Sequence, residues 1–296
     1  MIYAIGIVAA LLLGAGYVLQ QRVAVTAPLA DILHWRLLLD LMRRRVWWLG
    51  VGAMVIGQLL AAVALRFASV DVVEPLLSSN LLFALALAAL LSRQRPRPAE
   101  IGGAALLSAA LGVFLAVAQP RSSAHVVGVE RMGLLAVACV AAVVLGTVLI
   151  GRRRGLVGES IWLSCGAGLL FGLQDAATRA TLVDFDHHGA LSVLGHMWVY
   201  VLLACAALGI LLAQSAFKAA RLSYSLPPIT AAEPIAGIAL GIALLGDRIS
   251  LTTLGLALEC ACVVALIAGV ALIGRSRSLA IARSRAVAGT ASSAGG

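Results

Sequence analysis

The most regular feature of the chain is an apolar run about twenty residues long, broken by a short polar gap and then repeated. Twenty residues of helix rise about 30 Å, the thickness of the hydrocarbon layer of a bilayer. By this measure the pattern predicts nine membrane-spanning helices, at 2–20, 46–65, 72–91, 100–118, 132–150, 160–182, 190–216, 222–245 and 251–273. The gap 21–45 is longer than the rest. Its "PLADILHWRLLLDLMRRR" interrupts leucines with Asp31, His34, Arg36 and Asp40, which predicts an amphipathic helix lying on the membrane surface rather than a further span. After 273 the pattern ends, and the Ser-, Gly- and Arg-rich stretch 274–296 reads as a disordered basic tail on the cytoplasmic side.

Composition narrows the class. The 296 residues are 62% hydrophobic and only 12% charged, whereas a soluble domain is about half apolar and a quarter charged. An all-α integral membrane protein fits; a soluble globular domain does not. The net charge of +9 raises nucleic acid as a partner. The arginines, however, occupy the gaps between apolar runs, and aromatics at 5% are too sparse for base stacking. The expected partners are therefore the lipid bilayer and no nucleic acid. Cys139, Cys165, Cys205, Cys260 and Cys262 all lie in apolar runs without a C-x-x-C pair, so they read as packed thiols rather than a disulfide or metal set. The opening "MIYAIGIVAALLLGAGYVLQQR" lacks the basic start and cleavage site of a secretory signal and reads as a retained first span.

The basic residues orient the spans. Alternate gaps hold Arg22, Arg36, Arg43, Arg44, Arg45, Arg93, Arg95, Arg97, Arg152, Arg153, Arg154, Lys218, Arg221, Arg275, Arg277, Arg283 and Arg285. The other gaps hold only Arg66, Arg121, Arg131, Arg179 and Arg248. Positively charged loops stay in the cytoplasm, so the expected topology in the cell inner membrane is N-terminus outside and C-terminus inside.

Two stretches of the chain resemble each other. "SVDVVEPLLSSNLLFALALAALLSR" (69–93) and "SYSLPPITAAEPIAGIALGIALLGD" (223–247) both begin with serine, pass through prolines and end in a leucine-rich run. Upstream, "GQLLAAVALR" resembles "AQSAFKAAR", with Gln58 near Gln214, and "LLLGAGYVLQQR" in the first span resembles "LLFGLQDAATR" in the sixth. This divides the chain into a first repeat at 1–120, a linking helix at 121–155 and a second repeat at 156–273. One linking span inverts the second four-helix unit relative to the first. Secondary transporters use that construction, with the solute site near the midplane.

The proline break followed by "LLGDRIS" (244–250) and a Gly-containing last span resembles the drug/metabolite transporter superfamily (EamA-like), whose corresponding helix often ends in "LLGER" and Ser or Thr. The first-half counterpart "LLSRQRP" lacks the acid. Nine spans with an outside N-terminus resemble the branch that includes NIPA-type magnesium transporters. The resemblance implies a small-molecule or cation substrate, with magnesium or another divalent cation as one alternative.

Polar residues inside the apolar runs are the candidate site. Glu233 falls near the middle of the eighth span, where a charge costs from about 3 to more than 10 kcal/mol. Pro227, Pro228 and Pro234 remove backbone donors around it, which predicts a helix break whose freed carbonyls and carboxylate suit a cation or a proton. A hydrogen-bonded glutamic acid stabilising a kink is the structural alternative. Asn80 stands at the same level in the third span and serves either packing or site lining. Glu74, before Pro75, is either a helix-start acid or part of an outer vestibule. Asp175 has Arg179 one turn away, as a structural pair or as a switch, and Gln174 beside it is a candidate solute contact. Glu259 lies about 12 Å into the ninth span without a local basic partner, equally fit for proton coupling or structure. Gln20 and Gln21 read as interfacial. His187 and His188 in "DFDHH" read as a solvated outer loop. No metal ligand set is identified.

No phosphate-binding G-x-x-x-x-G-K-[ST], nucleophile elbow or H-E-x-x-H occurs, so the expected protein is neither an enzyme nor cofactor-dependent. The favoured function is secondary transport by alternating access. The alternatives are divalent-cation passage and a non-transporting scaffold or lipid-handling role. Gly-rich spans would permit a homodimer.

Overall fold

The computed structural model describes residues 2–67, 73, 76–92, 98–118, 129–188, 195, 197–245 and, near the end, 261–262, 264–265 and 268–269. Among the described residues there is no strand. The helices are α1 (Ile2–Ala24), α2 (Trp35–Met42), α3 (Arg45–Phe67), α4 (Asn80–Ser92), α5 (Pro98–Ala118), α6 (Val129–Arg152), α7 (Leu156–His188), α8 (Met197–Ala219) and α9 (Leu222–Leu245).

Six helical stretches among the described residues are long and apolar enough to cross a membrane: Tyr3–Ala24, Arg45–Ala64, Gly133–Arg152, Leu156–Leu182, Met197–Ala219 and Leu222–Ala243. They coincide with six of the nine expected spans. The expected spans at 72–91 and 100–118 contain the shorter apolar stretches Leu76–Leu91 and Ile101–Phe114; in the first of these a turn at Ser79 precedes α4. Most of the expected ninth span lies outside the described residues. Large apolar side chains such as Leu49, Leu59, Leu134, Leu135 and Leu203 face outward, as they do where lipid rather than water surrounds the helices. The protein is a helical, membrane-embedded chain.

α1 and α7 organise the packing. α1 runs against α3 and α4, and α7 runs against α6, α8 and α9. With lipid outside, helices gain little from apolar burial against one another and associate through close backbone approach at small residues. Gly57 meets the Ala9 carbonyl of α1 at 3.1 Å from where a Cβ would stand, and Gly50 meets the Gly16 carbonyl at 3.0 Å. Between α7 and α8, the Ser160 hydroxyl donates to the Ala216 carbonyl at 2.8 Å, with both residues fully buried.

The segment 21–45 differs from expectation in its bounds. α1 continues to Ala24, so the first four of these residues extend the span. A 3-10 turn at Leu29–Asp31 follows, and the amphipathic helix is the short α2. Leu37 and Leu41 of α2 are buried while Trp35, Leu39 and Met42 are exposed, so it lies flat against the bundle, touching α8 and α3. At the start of α3, Trp48 is exposed, its ring packs edge-on to Trp47, and its indole N–H donates to the Met42 carbonyl at 2.7 Å. The "DFDHH" run, expected as a loop, is helical: α7 continues to His188.

α9 corrects the expected helix break. Pro227, Pro228 and Pro234 all lie inside one continuous helix. Each removes an N–H, leaving the carbonyls of Ser223, Tyr224 and Thr230 without their helical donors. Proline is tolerated in a membrane helix where neighbouring helices and hydroxyls support the backbone. Here Leu226 and Ile229, on either side of Pro227 and Pro228, are fully buried in the core.

Candidate functional site

A cavity of about 520 Å³ lies where the helices of the first half of the chain meet those of the second, within the usual range for small-molecule sites, about 300–1,000 Å³. α1 contributes Leu13 and Tyr17. α3 contributes Met54 and Gln58, with Ala61 and Ala62 beyond them. Leu77, Ser78 and Asn80 come from the turn into α4, and Leu111 from α5. From the second half come Asp175 of α7 and Thr230, Glu233 and Pro234 of α9.

The two acids reach this cavity because α7 and α9 touch along their backbones. A Cβ on Gly172 would stand 2.6 Å from the Glu233 carbonyl oxygen and 2.7 Å from the Gly237 nitrogen, so only glycine lets the helices approach this closely. Asp175 follows Gly172 by three residues and therefore lies on the same side of α7. One of its carboxylate oxygens stands 3.9 Å from where a Cβ on Gly237 would be, one helical turn from Glu233. The two carboxylates and the Tyr17 hydroxyl-bearing ring line the same space. Glu233 is half-buried and Asp175 is exposed to the cavity it lines.

α1 and α4 make a matching contact. A Cβ on Gly14 would stand 2.7 Å from the Asn80 carbonyl, 2.9 Å from the Ala84 nitrogen and 3.2 Å from the Phe83 Cβ. At Gly172 the corresponding atoms are the Glu233 carbonyl, the Gly237 nitrogen and the Ala236 Cβ. The offsets of zero, four and three residues are the same, and Gly168 of α7 repeats them against Ile229, Glu233 and Ala232.

One end of the cavity is closed by contacts between α1 and α8. Past Tyr17, the Gln214 amide donates to the Gln20 side-chain oxygen at 2.6 Å, and the Gln20 amide points to the Met54 sulfur at 3.1 Å. Tyr17 packs edge-on against Phe217, with ring centres 6.3 Å apart. Beyond them Lys218 donates to the Val25 carbonyl at 2.6 Å, and the Leu33 N–H donates to the Ser215 hydroxyl at 3.0 Å. Gln20 is therefore a buried link between helices rather than an interfacial residue.

Of the expected site residues, Glu233, Asp175, Asn80 and Pro234 line the cavity. Gln174 does not: it is one position from Asp175, so its side chain leaves the helix about 100° away. Pro227 and Pro228 lie further toward the start of α9 and are not part of the wall. Glu74, Pro75 and Glu259 fall outside the described residues. Sequence reasoning missed Tyr17, Met54 and Thr230 as site residues. Gln58 was visible only through its resemblance to Gln214. Among the described residues no group of three or more His, Cys, Asp or Glu side chains is placed to hold a metal ion.

Over 240 residues the chain is 30% identical to the uncharacterized protein Cgl0250/cg0304 of Corynebacterium glutamicum, a match spanning 81% of this chain and 82% of that one. The chain belongs to that protein's family. The shared region extends over most of both chains, so the relationship concerns the whole bundle and not one helix pair. No protein-family model matches the chain, and no solved structure matches it. The relative's name carries no activity, and the functional reading rests on the cavity.

Proposed function

We propose that the protein is a secondary transporter that moves a small solute across the cell inner membrane by alternating access, with the cavity between its halves as the solute site. One observation carries this reading: two carboxylates, Asp175 and Glu233, line a membrane-level cavity whose walls come from both halves of the chain. Ionisable side chains inside a membrane are costly and mark solute or ion pathways. A protein that only held a partner or a lipid would have no need of paired acids around an internal space.

Glycine contacts of one kind, Gly14 with α4 and Gly168 and Gly172 with α9, agree with two pseudo-equivalent units, α1–α3–α4 and α7–α8–α9. With nine crossings and the arginines distributed as they are, the second unit is inverted, the N-terminus is outside and the C-terminus inside, in the manner of the drug/metabolite transporter superfamily. The α1–α8 contacts then close the cytoplasmic end, and the rocking of one unit against the other would open it. Divalent-cation passage is the weaker reading, because much of the cavity wall is apolar and among the described residues no group of three or more His, Cys, Asp or Glu side chains stands together.

The test is uptake into proteoliposomes carrying the purified full-length chain, screened over amines, amino acids and metal ions. At least one solute enters faster than into empty vesicles, and Glu233→Gln lowers its initial rate at least tenfold. No uptake of any solute, or full uptake by Glu233→Gln, would overturn the proposal.

A further inference from the structure

We infer that the cavity selects a small organic cation, a solute with one positively charged nitrogen on an apolar body, which sits between Asp175 and Glu233 with its body against Leu13, Leu77 and Leu111. This deepens the transport reading and rests on the cavity being the solute site.

Charge is the first argument. The described wall contains two acids and no Lys, Arg or His. Arg179, one turn beyond Asp175 on α7, and Lys218, at the closed end, are not part of it. Two carboxylates lining one space at membrane depth are costly to ionise together, so their charged forms need a cationic partner. A single cation between them relieves that cost, whereas an anion would add a third like charge and a neutral solute would leave the cost in place.

The rest of the wall separates an organic cation from a bare metal ion. Calcium takes six to eight oxygens, and magnesium demands an octahedral shell and gives up water reluctantly. Leu13, Leu77, Leu111 and Met54 offer such an ion nothing, yet they suit methyl and methylene groups, and a thioether adapts to varied shapes. Tyr17 brings an aromatic ring, a favourable neighbour for an alkylated ammonium group. The space, about 520 Å³, is within the range that holds a small organic molecule. Gln58, Asn80 and Thr230 remain to accept or donate hydrogen bonds at a polar end of the solute.

Binding is measured on the full-length detergent-solubilised protein by calorimetry and thermal melting. The probes are tetramethylammonium, choline, tetraethylammonium and tetraphenylphosphonium, with dimethylbutanol as the uncharged carbon isostere of choline and magnesium chloride as the metal. At least one of the cations binds at least tenfold more tightly than dimethylbutanol and magnesium, and Asp175→Asn and Glu233→Gln each weaken it at least tenfold. Binding by none of the four cations, or equal binding of dimethylbutanol or of magnesium, overturns the inference. Those comparisons use the unaltered protein and do not depend on either variant folding. Uptake separates the two readings. Cation-selective binding without uptake into vesicles would remove the transport reading and leave this one. Glu233-dependent uptake that ignores solute charge would remove this one and leave transport.

Discussion

At the scale of single residues, the candidate site depends as much on glycine as on acid. Glu233 reaches the cavity because nothing stands between α9 and α7 at Gly172. A methyl group there would fall 2.6 Å from both the Glu233 carbonyl and the Ala236 Cβ. Backbone cannot yield as the end of a side chain can, so Gly172→Ala should push the helices apart and cost about 1–3 kcal/mol, the usual range for overpacking. Gly52 is the control, for a Cβ there meets nothing within 4 Å. Gly52→Ala should be neutral or stabilising by up to about 1 kcal/mol through helix propensity. Melting of the two purified variants checks the pair, and equal melting temperatures would mean that α7 and α9 do not touch through Gly172. The sequence exposed Glu233 plainly, because a carboxylate amid apolar residues is conspicuous. It hid Tyr17 and Thr230, which are ordinary in any membrane helix and gain meaning only from which helices face each other.

At the scale of elements, the most informative is the strap between α1 and α3. Its amphipathic leucines were legible as a surface-lying helix, but nothing local revealed what it lies on. Long-range polar contacts fix it to the end of α8, by way of Val25 with Lys218 and Leu33 with Ser215. Leu33 sits at φ 63°, in the left-handed region that an unbranched-backbone glycine would occupy more easily, so the Ser215 contact offsets a local strain. Ser215→Ala would leave the half-buried Leu33 N–H without its acceptor, at a cost of about 0.5–1.5 kcal/mol, the usual net worth of a hydrogen bond. The expected outcome is a lower melting temperature together with faster protease cleavage within 25–34. Ser225→Ala removes only a 3.3 Å bond to the Arg221 carbonyl of its own helix end and should change neither. If both variants melt and cleave alike, the strap is not held by α8. The expected break in α9 failed at this scale for a related reason. Proline chemistry alone predicts a gap, while the support given by buried neighbours is a property of the assembled bundle.

At the scale of the whole molecule, the membrane class and six of the spans followed from hydropathy, because a bilayer imposes one length on every crossing. The proposed repeat rests in the sequence on short matches alone, because apolar helices resemble one another easily. In the structure Gly14 meets α4 with the same offsets with which both Gly168 and Gly172 meet α9, a contact that agrees with the proposed repeat. If a pseudo-twofold axis relates the two units, residue 80 and residue 233 face one cavity from opposite sides, and both do line it. A carboxylate should then be movable across the axis. Glu233→Gln loses the acid. Adding Asn80→Glu in that background returns one to the same space, still near Asp175, and should recover at least a threefold higher uptake rate than Glu233→Gln alone. Asn80→Glu by itself crowds a third anion into the cavity and should lower uptake, the opposite sign for the same substitution. Such a reversal arises only when the two positions act on one site. If Asn80→Glu instead harms both backgrounds equally, positions 80 and 233 do not share a binding site, and the proposed alternating access loses its support.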